Sequence, residues 1–564
     1  MHRYRNMTHR LSRLLSLLLL AATGLSSLSA SGLPLPTVLK PIDPVETDGG
    51  LIAGKVLDSG VRAWLGVPFA QAPVRDLRWR PPQRLTWSGV FNADRFAPQC
   101  IQPLRGSNIN HYFGHEATSE DCLCLNIWAP ADSGAGDDLP VIVWIYGGGF
   151  TIGSAAMRNY AGENLAKKGA VYISISYRVG ALGFLAHPEL TAESPQHASG
   201  NYGFLDQVAA LEWIQRNVGK FGGDPGRVTI MGQSAGSASV ASLQVSPIAK
   251  GLFHRIVGMS GSSVVGRFRS TLKEAEQTGL QYEEAFGVDS IEALRHISAD
   301  KILAQQQDCQ LGCSGSIRVG PTIDGYFMMD EPSEVFARGE QIDVPIMVGF
   351  TRDEGFSAIG GAQTLDQYRG FLQEAYGDKA DELLRLYPAS SDAEARRAAR
   401  DVARDSTLGL SMFVWAELQT GHGDEPAFSY LFERVHPYTQ GIKFPDHDPA
   451  TVGAYHTADV PYWLQTLDSL NIYRETRTYT DYDRRLSDLM SDAIVAFAAE
   501  GDPTTEALKW PKFSPQNPQL VELGQDTDKL LEIKPWPNAE KLQFFRENEA
   551  RPINSANIRR DPRD

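Results

Sequence analysis

The sequence predicts an α/β protein: a large, mostly parallel central sheet with helices on both faces and helical insertions. Three observations carry this expectation. Apolar, β-branched runs recur at residues 141–146, 171–176 and 228–231, and runs without polar alternation read as strands buried on both faces. Between the last two, Leu205, Val208, Ala209, Leu211, Trp213 and Ile214 fall at helical spacings, with Gly219 and Gly222 closing the segment. Such alternation of strand and helix implies a parallel sheet, since parallel neighbours are joined by crossovers.

Along the chain, Arg3, Arg5, Arg10 and Arg13 precede an apolar run over 14–25 and a small-residue stretch over 26–31. That layout is a secretory signal, expected over residues 1–30. The run is too short to span a bilayer comfortably, and no cysteine precedes Cys100, so neither a stable membrane anchor nor lipidation is expected. The location implied is secreted or periplasmic. Pro34, Pro36, Pro41 and Pro44 lead into the alternating region, which extends from about residue 50 to 260. Its clearest strand, 141–146, ends in Gly147-Gly148-Gly149. Residues 270–340 and 360–440 then read as helical and more charged, interrupted by a strand-like piece at 344–349, and 547–564 reads as a polar tail that frays.

Composition narrows the function. With 42% hydrophobic residues, 52 Gly and 33 Pro, the chain is neither largely disordered nor collagen-like. Its net charge is −15, and removal of residues 1–30 deletes four arginines and no acid, making it −19. Nucleic-acid binding draws on clustered Lys and Arg, so no nucleic-acid partner is expected. Export makes the five cysteines readable as disulfides. Cys309 and Cys313 can close a small loop, while Cys122 and Cys124, if on one strand, point to the same face and compete for Cys100. A zinc site is not expected, because no Cys-x-x-Cys or neighbouring His pair is present.

The sharpest chemical signal is Gly232-Gln233-Ser234-Ala235-Gly236, directly after the strand 228–231 and before the small-residue run 237–241. A serine presented on a strand-to-helix turn needs glycine on both flanks, because larger side chains collide where the backbone doubles back. Acyl transfer also needs donors for an oxyanion. Fixed backbone N–H groups serve, and 147–150 and Ala235 are placed to supply them. In this type of elbow the acid and base follow the nucleophile. His456, in a loop of small and aromatic residues, is the candidate base. Glu354 is the candidate acid, with Asp353 and Asp324 as competitors.

These residues resemble the type-B carboxylesterase/lipase family. The stretch from Phe221-Gly222-Gly223 to Gly236 is similar to its nucleophile signature, Glu120-Asp121-Cys122-Leu123-Cys124-Leu125-Asn126 to its second signature, and Tyr177-Arg178-Val179-Gly180 is typical as well. The similarity extends over nearly all of 45–545. It implies an α/β-hydrolase fold, a single domain over 31–546, and a Ser234–Glu354–His456 triad. It also implies an oxyanion hole of Gly148, Gly149 and Ala235, and Ser260 supporting the histidine. Disulfides Cys100–Cys122 and Cys309–Cys313 and a buried Arg78–Glu120 ion pair are implied too, leaving Cys124 over.

The resemblance therefore implies a serine carboxylesterase that acts on small-molecule esters with no cofactor or metal. Gln233 stands where cholinesterases commonly carry Glu, and the stretch from Cys100 to Cys122 holds no Trp for a quaternary ammonium. Neutral or anionic esters are accordingly expected to outrun choline esters. A lipase is the nearest alternative, but Arg105, Asn108, Asn110 and His111 make a poor apolar lid. Thioester or amide hydrolysis would use the same machinery. An adhesion or binding protein would not need the triad that this chain retains.

Overall fold

The structure, a computed structural model, describes residues 42–104, 117–265, 269–307, 317–525, 529–548 and 550. The signal segment 1–30, Cys309 and Cys313, the four loop residues above and nearly all of the tail 547–564 lie outside the described residues.

One sheet of eleven strands organises the chain. In chain order they are β1 (Lys55–Val56), β2 (Arg62–Pro68), β3 (Cys124–Ala129), β4 (Leu139–Ile145), β5 (Val171–Ile175), β6 (Gly223–Gln233), β7 (Arg255–Met259), β8 (Ile346–Thr351), β9 (Ala427–Phe432), β10 (Gln519–Leu523) and β11 (Leu531–Pro535). Their spatial order is β11-β10-β9-β8-β7-β6-β4-β5-β3-β2-β1. From β5 across to β10 every pairing is parallel. The outer pairs β5–β3, β3–β2, β2–β1 and β10–β11 are antiparallel. Successive strand residues point to opposite faces, and Val141 to Ile145 are all fully buried. Both faces of the centre are therefore covered.

Helices α1 (Tyr202–Asn217), α2 (Ala235–Gln244), α3 (Leu410–His422) and α4 (Asp481–Glu500) are among those flanking it. The one expected at 201–217 starts a residue later and stops, through a 3₁₀ turn, at left-handed Gly222. Residues 346–351, two later than expected, form β8, because Pro345 cannot donate in the ladder.

One expectation is corrected. Residues 360–440 are not helical throughout: 427–432 form β9 between β8 and β10. Ala-Phe-Ser-Tyr-Leu-Phe is buried at every position, but it holds no β-branched residue and so lacks the signal that marked 141–146, and charged flanks disguised it. The sequence reading also placed no strands at 519–535, where β10 and β11 pair.

Cys100 and Cys122 form a disulfide. Cys122 precedes β3 and Cys124 opens it, so the two do not share a strand face. Cys124 is free and buried, and burial pushes its thiol up to about 12, which keeps it unreactive. Arg78 and Glu120 pair bidentately at 2.7 Å, with Arg78 almost fully buried, and Arg78 also donates to the carbonyls of Arg295 and Ile297.

Candidate active site

The end of β6 delivers the serine. Ser234 sits at φ 57°, ψ −122°, a conformation that L-residues avoid, and its N–H donates to Met259 O at 2.8 Å on β7. The chain turns at once into α2. A Cβ on Gly236 would overlap Ile145 O at the end of β4, so only glycine lets α2 start this close to the sheet. Ala235 opens α2, where first-turn N–H groups have no intrahelical acceptor and the dipole favours negative charge.

The glycine loop after β4 lies against this elbow. A Cβ on Gly147 would meet Gln233 O and Ser234 Cβ. Thr151 and Ile152 N–H both bond Gly148 O, at 3.1 and 3.2 Å, which folds the loop back over the elbow. Gly148 and Gly149 have positive φ.

Glu354 follows β8, and its side chain is fully buried. One oxygen accepts from Thr351 N–H at 2.8 Å and the other lies 2.6 Å from His456 Nδ1. The competing acids do other work. Asp353 is bonded to the histidine loop twice: its N–H donates to Ala454 O at 3.0 Å, and its carboxylate accepts from Ala454 N–H at 2.9 Å. The Asp324 carboxylate accepts from the N–H groups of Tyr326, Phe327 and Met328, closing a turn. The structure thus brings Ser234, Glu354, His456, Gly148, Gly149 and Ala235 to one end of the parallel strands, where α/β sheets place ligands.

With Nδ1–H directed at a carboxylate, His456 keeps a lone pair on Nε2. Among the described residues that nitrogen bonds Gln233 Nε2 at 3.1 Å, and no hydrogen bond joins it to Ser234 Oγ. Catalytic hydrogen bonds often tighten only when substrate is bound. Ser260 lies beside the elbow, its N–H bonded to Gly349 O at 2.8 Å. Its buried hydroxyl has no partner among the described residues and does not reach His456.

Three neighbours escaped the sequence reading. Phe356, 61% exposed, stands edge-on to the His456 ring at 5.1 Å. Its place two residues after Glu354 was the available signal. Asp459, three residues after His456, is fully buried and accepts from Tyr430 O–H at 2.7 Å. Burial, with help from Glu354, raises it to about 6. His436 bonds Ala458 O at 2.8 Å through Nε2. Burial, with Arg477 nearby, lowers it to about 3, so it stays neutral and steadies the histidine loop.

A separate trio, His187, Glu189 and Glu283, has the spacing of metal ligands. His187 Nδ1, however, accepts from Glu189 N–H at 3.2 Å, which puts the imidazole proton on Nε2, 3.0 Å from Glu283. No lone pair is left there for a metal.

Comparison with known proteins gives the family and the fold. The Carboxylesterase family matches residues 43–545. Fumonisin B1 esterase of Sphingopyxis macrogoltabida is 38% identical over 482 residues, covering 83% of this chain and 84% of that protein. Human cocaine esterase is 32% identical over 88% of this chain and 89% of its own length. The solved structure of PNB esterase superposes with a TM-score of 0.72 at 28% identity, covering 89% of this chain and 99% of that one. The chain belongs to the carboxylesterase family and is a carboxylic ester hydrolase on the α/β-hydrolase fold.

Proposed function

We propose that the chain is a secreted serine carboxylesterase that works through an acyl-enzyme on Ser234. The observation that carries this is the 2.6 Å contact of His456 Nδ1 with buried Glu354, beside a serine held at positive φ. Glu354 fixes the tautomer, so Nε2 can take the Ser234 proton as Oγ attacks the ester carbonyl. The N–H groups of Gly148, Gly149 and Ala235 receive the oxyanion, each worth about 3 kcal/mol in such sites. Collapse of the intermediate expels the alcohol, which leaves with the proton from His456. Water then attacks the acyl group, giving its proton to the same nitrogen, and the acid departs as Ser234 is restored.

Residues 1–30 act as the export signal, 31–546 as one catalytic domain and 547–564 as a polar tail, with a second disulfide at Cys309–Cys313. Among the described residues no helix is long and apolar enough to cross a membrane. The substrate class is a small-molecule ester, neutral or anionic in preference to cationic, since Gln233 brings no charge to the base. The fumonisin B1 esterase among its relatives makes that ester a rational member of a test panel.

Ser234→Ala should lower kcat by a factor on the order of 10⁴ or more while leaving the circular dichroism spectrum unchanged. Undiminished turnover would sink the assignment. A fluorophosphonate should label Ser234 stoichiometrically, and its failure to do so would favour an inert binding protein. A preference for choline esters across a charge-varied panel would overturn the substrate class.

A further inference from the structure

We propose that Gln233 is a positioning residue that holds the resting His456 imidazole in place, by donating from its amide to Nε2. The inference rests on the reading of His456 as the base and adds a role for the residue before the nucleophile.

Gln233 ends β6, is 2% exposed, and puts Nε2 3.1 Å from His456 Nε2. Because Nδ1–H points at Glu354, His456 Nε2 carries a lone pair, and only a donor is attracted to it. The amide N–H group meets that need, whereas the amide oxygen turned the same way would be repelled. An amide does not ionise, so it cannot pass a proton to the base. It fixes the resting ring from the side opposite Glu354, and it gives up the Nε2 lone pair when Ser234 delivers its proton there.

Once His456 takes the Ser234 proton, a half-turn of the amide lets its oxygen accept from the new Nε2–H. Glutamine thus serves both protonation states, while a carboxylate would favour the charged one throughout.

Other groups face the same ring. Glu354 lies at Nδ1, Asp459 follows in the same loop, Tyr430 of β9 donates to Asp459, and Asp353 fastens Ala454. Asp459 titrates in the window of interest, so the test must separate it from Gln233.

The experiment is the pH profile of kcat/KM for wild type, Gln233→Glu and Gln233→Met, each first titrated with a fluorophosphonate. Failure of the wild type to label would defeat the esterase reading itself, before Gln233 is at issue. Given labelling, Gln233→Glu should move the acid limb upward by about one pH unit, the low end of the effect of an adjacent opposite charge. Gln233→Met, matched in length but without a donor, should lower kcat several-fold with KM unchanged. The upward shift in Gln233→Glu should persist in an Asp459→Asn background. An acid limb within 0.3 pH unit of wild type would overturn the proposal, taking about one third of the expected effect as the threshold. So would loss of the shift in the Asp459→Asn background, or a KM change in Gln233→Met with kcat preserved.

Discussion

Ser234 bears strain that its neighbours impose. Its φ of 57° with ψ of −122° costs roughly 1–3 kcal/mol for a residue with a Cβ. Glycine avoids that cost but gives the unfolded chain about 0.4–1 kcal/mol more entropy to lose. The strain is the larger effect. Ser234→Gly should therefore have a higher Tm than Ser234→Ala, with both inactive. An equal or lower Tm would mean that the elbow is not strained. Gly236 is constrained by contact, not conformation, since a Cβ there would overlap Ile145 O. Gly236→Ala should cost about 3 kcal/mol, the upper range for overpacking, and displace Ser234. The readout is a lowered Tm together with reduced fluorophosphonate labelling. The glycine flanks were legible in the sequence because this steric demand is local.

The loop that leads into β3 is secured twice. The Cys100–Cys122 bond spans a separation of 22 residues, and closing such a loop removes about 3 kcal/mol of unfolded-state entropy. The Arg78–Glu120 pair adds two short bonds beside it. Arg78→Ala should cost about 3–5 kcal/mol, the usual result of removing one partner of a buried pair, because Glu120 and the carbonyls of Arg295 and Ile297 all lose their donor. Thermal unfolding of Arg78→Ala checks this, and a Tm near wild type would contradict it. Both links followed from the family resemblance, whereas spacing alone left Cys122 and Cys124 as equal partners for Cys100. The difference lies in where β3 begins, which the tertiary arrangement sets. β9 shows the same limit: without a β-branched residue, its run does not stand out from the helical text around it.

Across the molecule, two buried groups give stability opposite dependences on pH. Asp459 binds its proton more tightly folded, at about 6 against 3.8 unfolded. Its contribution is fully present below pH 3.8 and is lost as pH rises through 6, a swing of about 3 kcal/mol at ~1.4 kcal/mol per unit. His436, lowered from 6.5 to about 3, works the other way. Its contribution is present above 6.5 and is lost as pH falls toward 3. Asn at position 459 can still accept from Tyr430 and cannot ionise. The Tm of Asp459→Asn should therefore gain on wild type as pH climbs from 4 to 7. A difference that stays constant across that range would show that Asp459 is not held in the way its burial implies. Neither group was visible in the sequence, where a His among charged residues reads as exposed.

The sequence by itself determined the parallel core and the elbow around Ser234, which depend on short-range rules, namely glycine sterics and buried apolar runs; Glu354 and His456 were named through the family resemblance, with Asp353 and Asp324 still competing on position alone. Tertiary structure alone decided what surrounds them: Gln233 on His456 Nε2, Asp353 fastening the histidine loop, Phe356 at its edge and Asp459 and His436 behind it. Those contacts join residues that are mostly far apart in the chain and meet only where strands of the sheet end side by side. No local pattern encodes that juxtaposition.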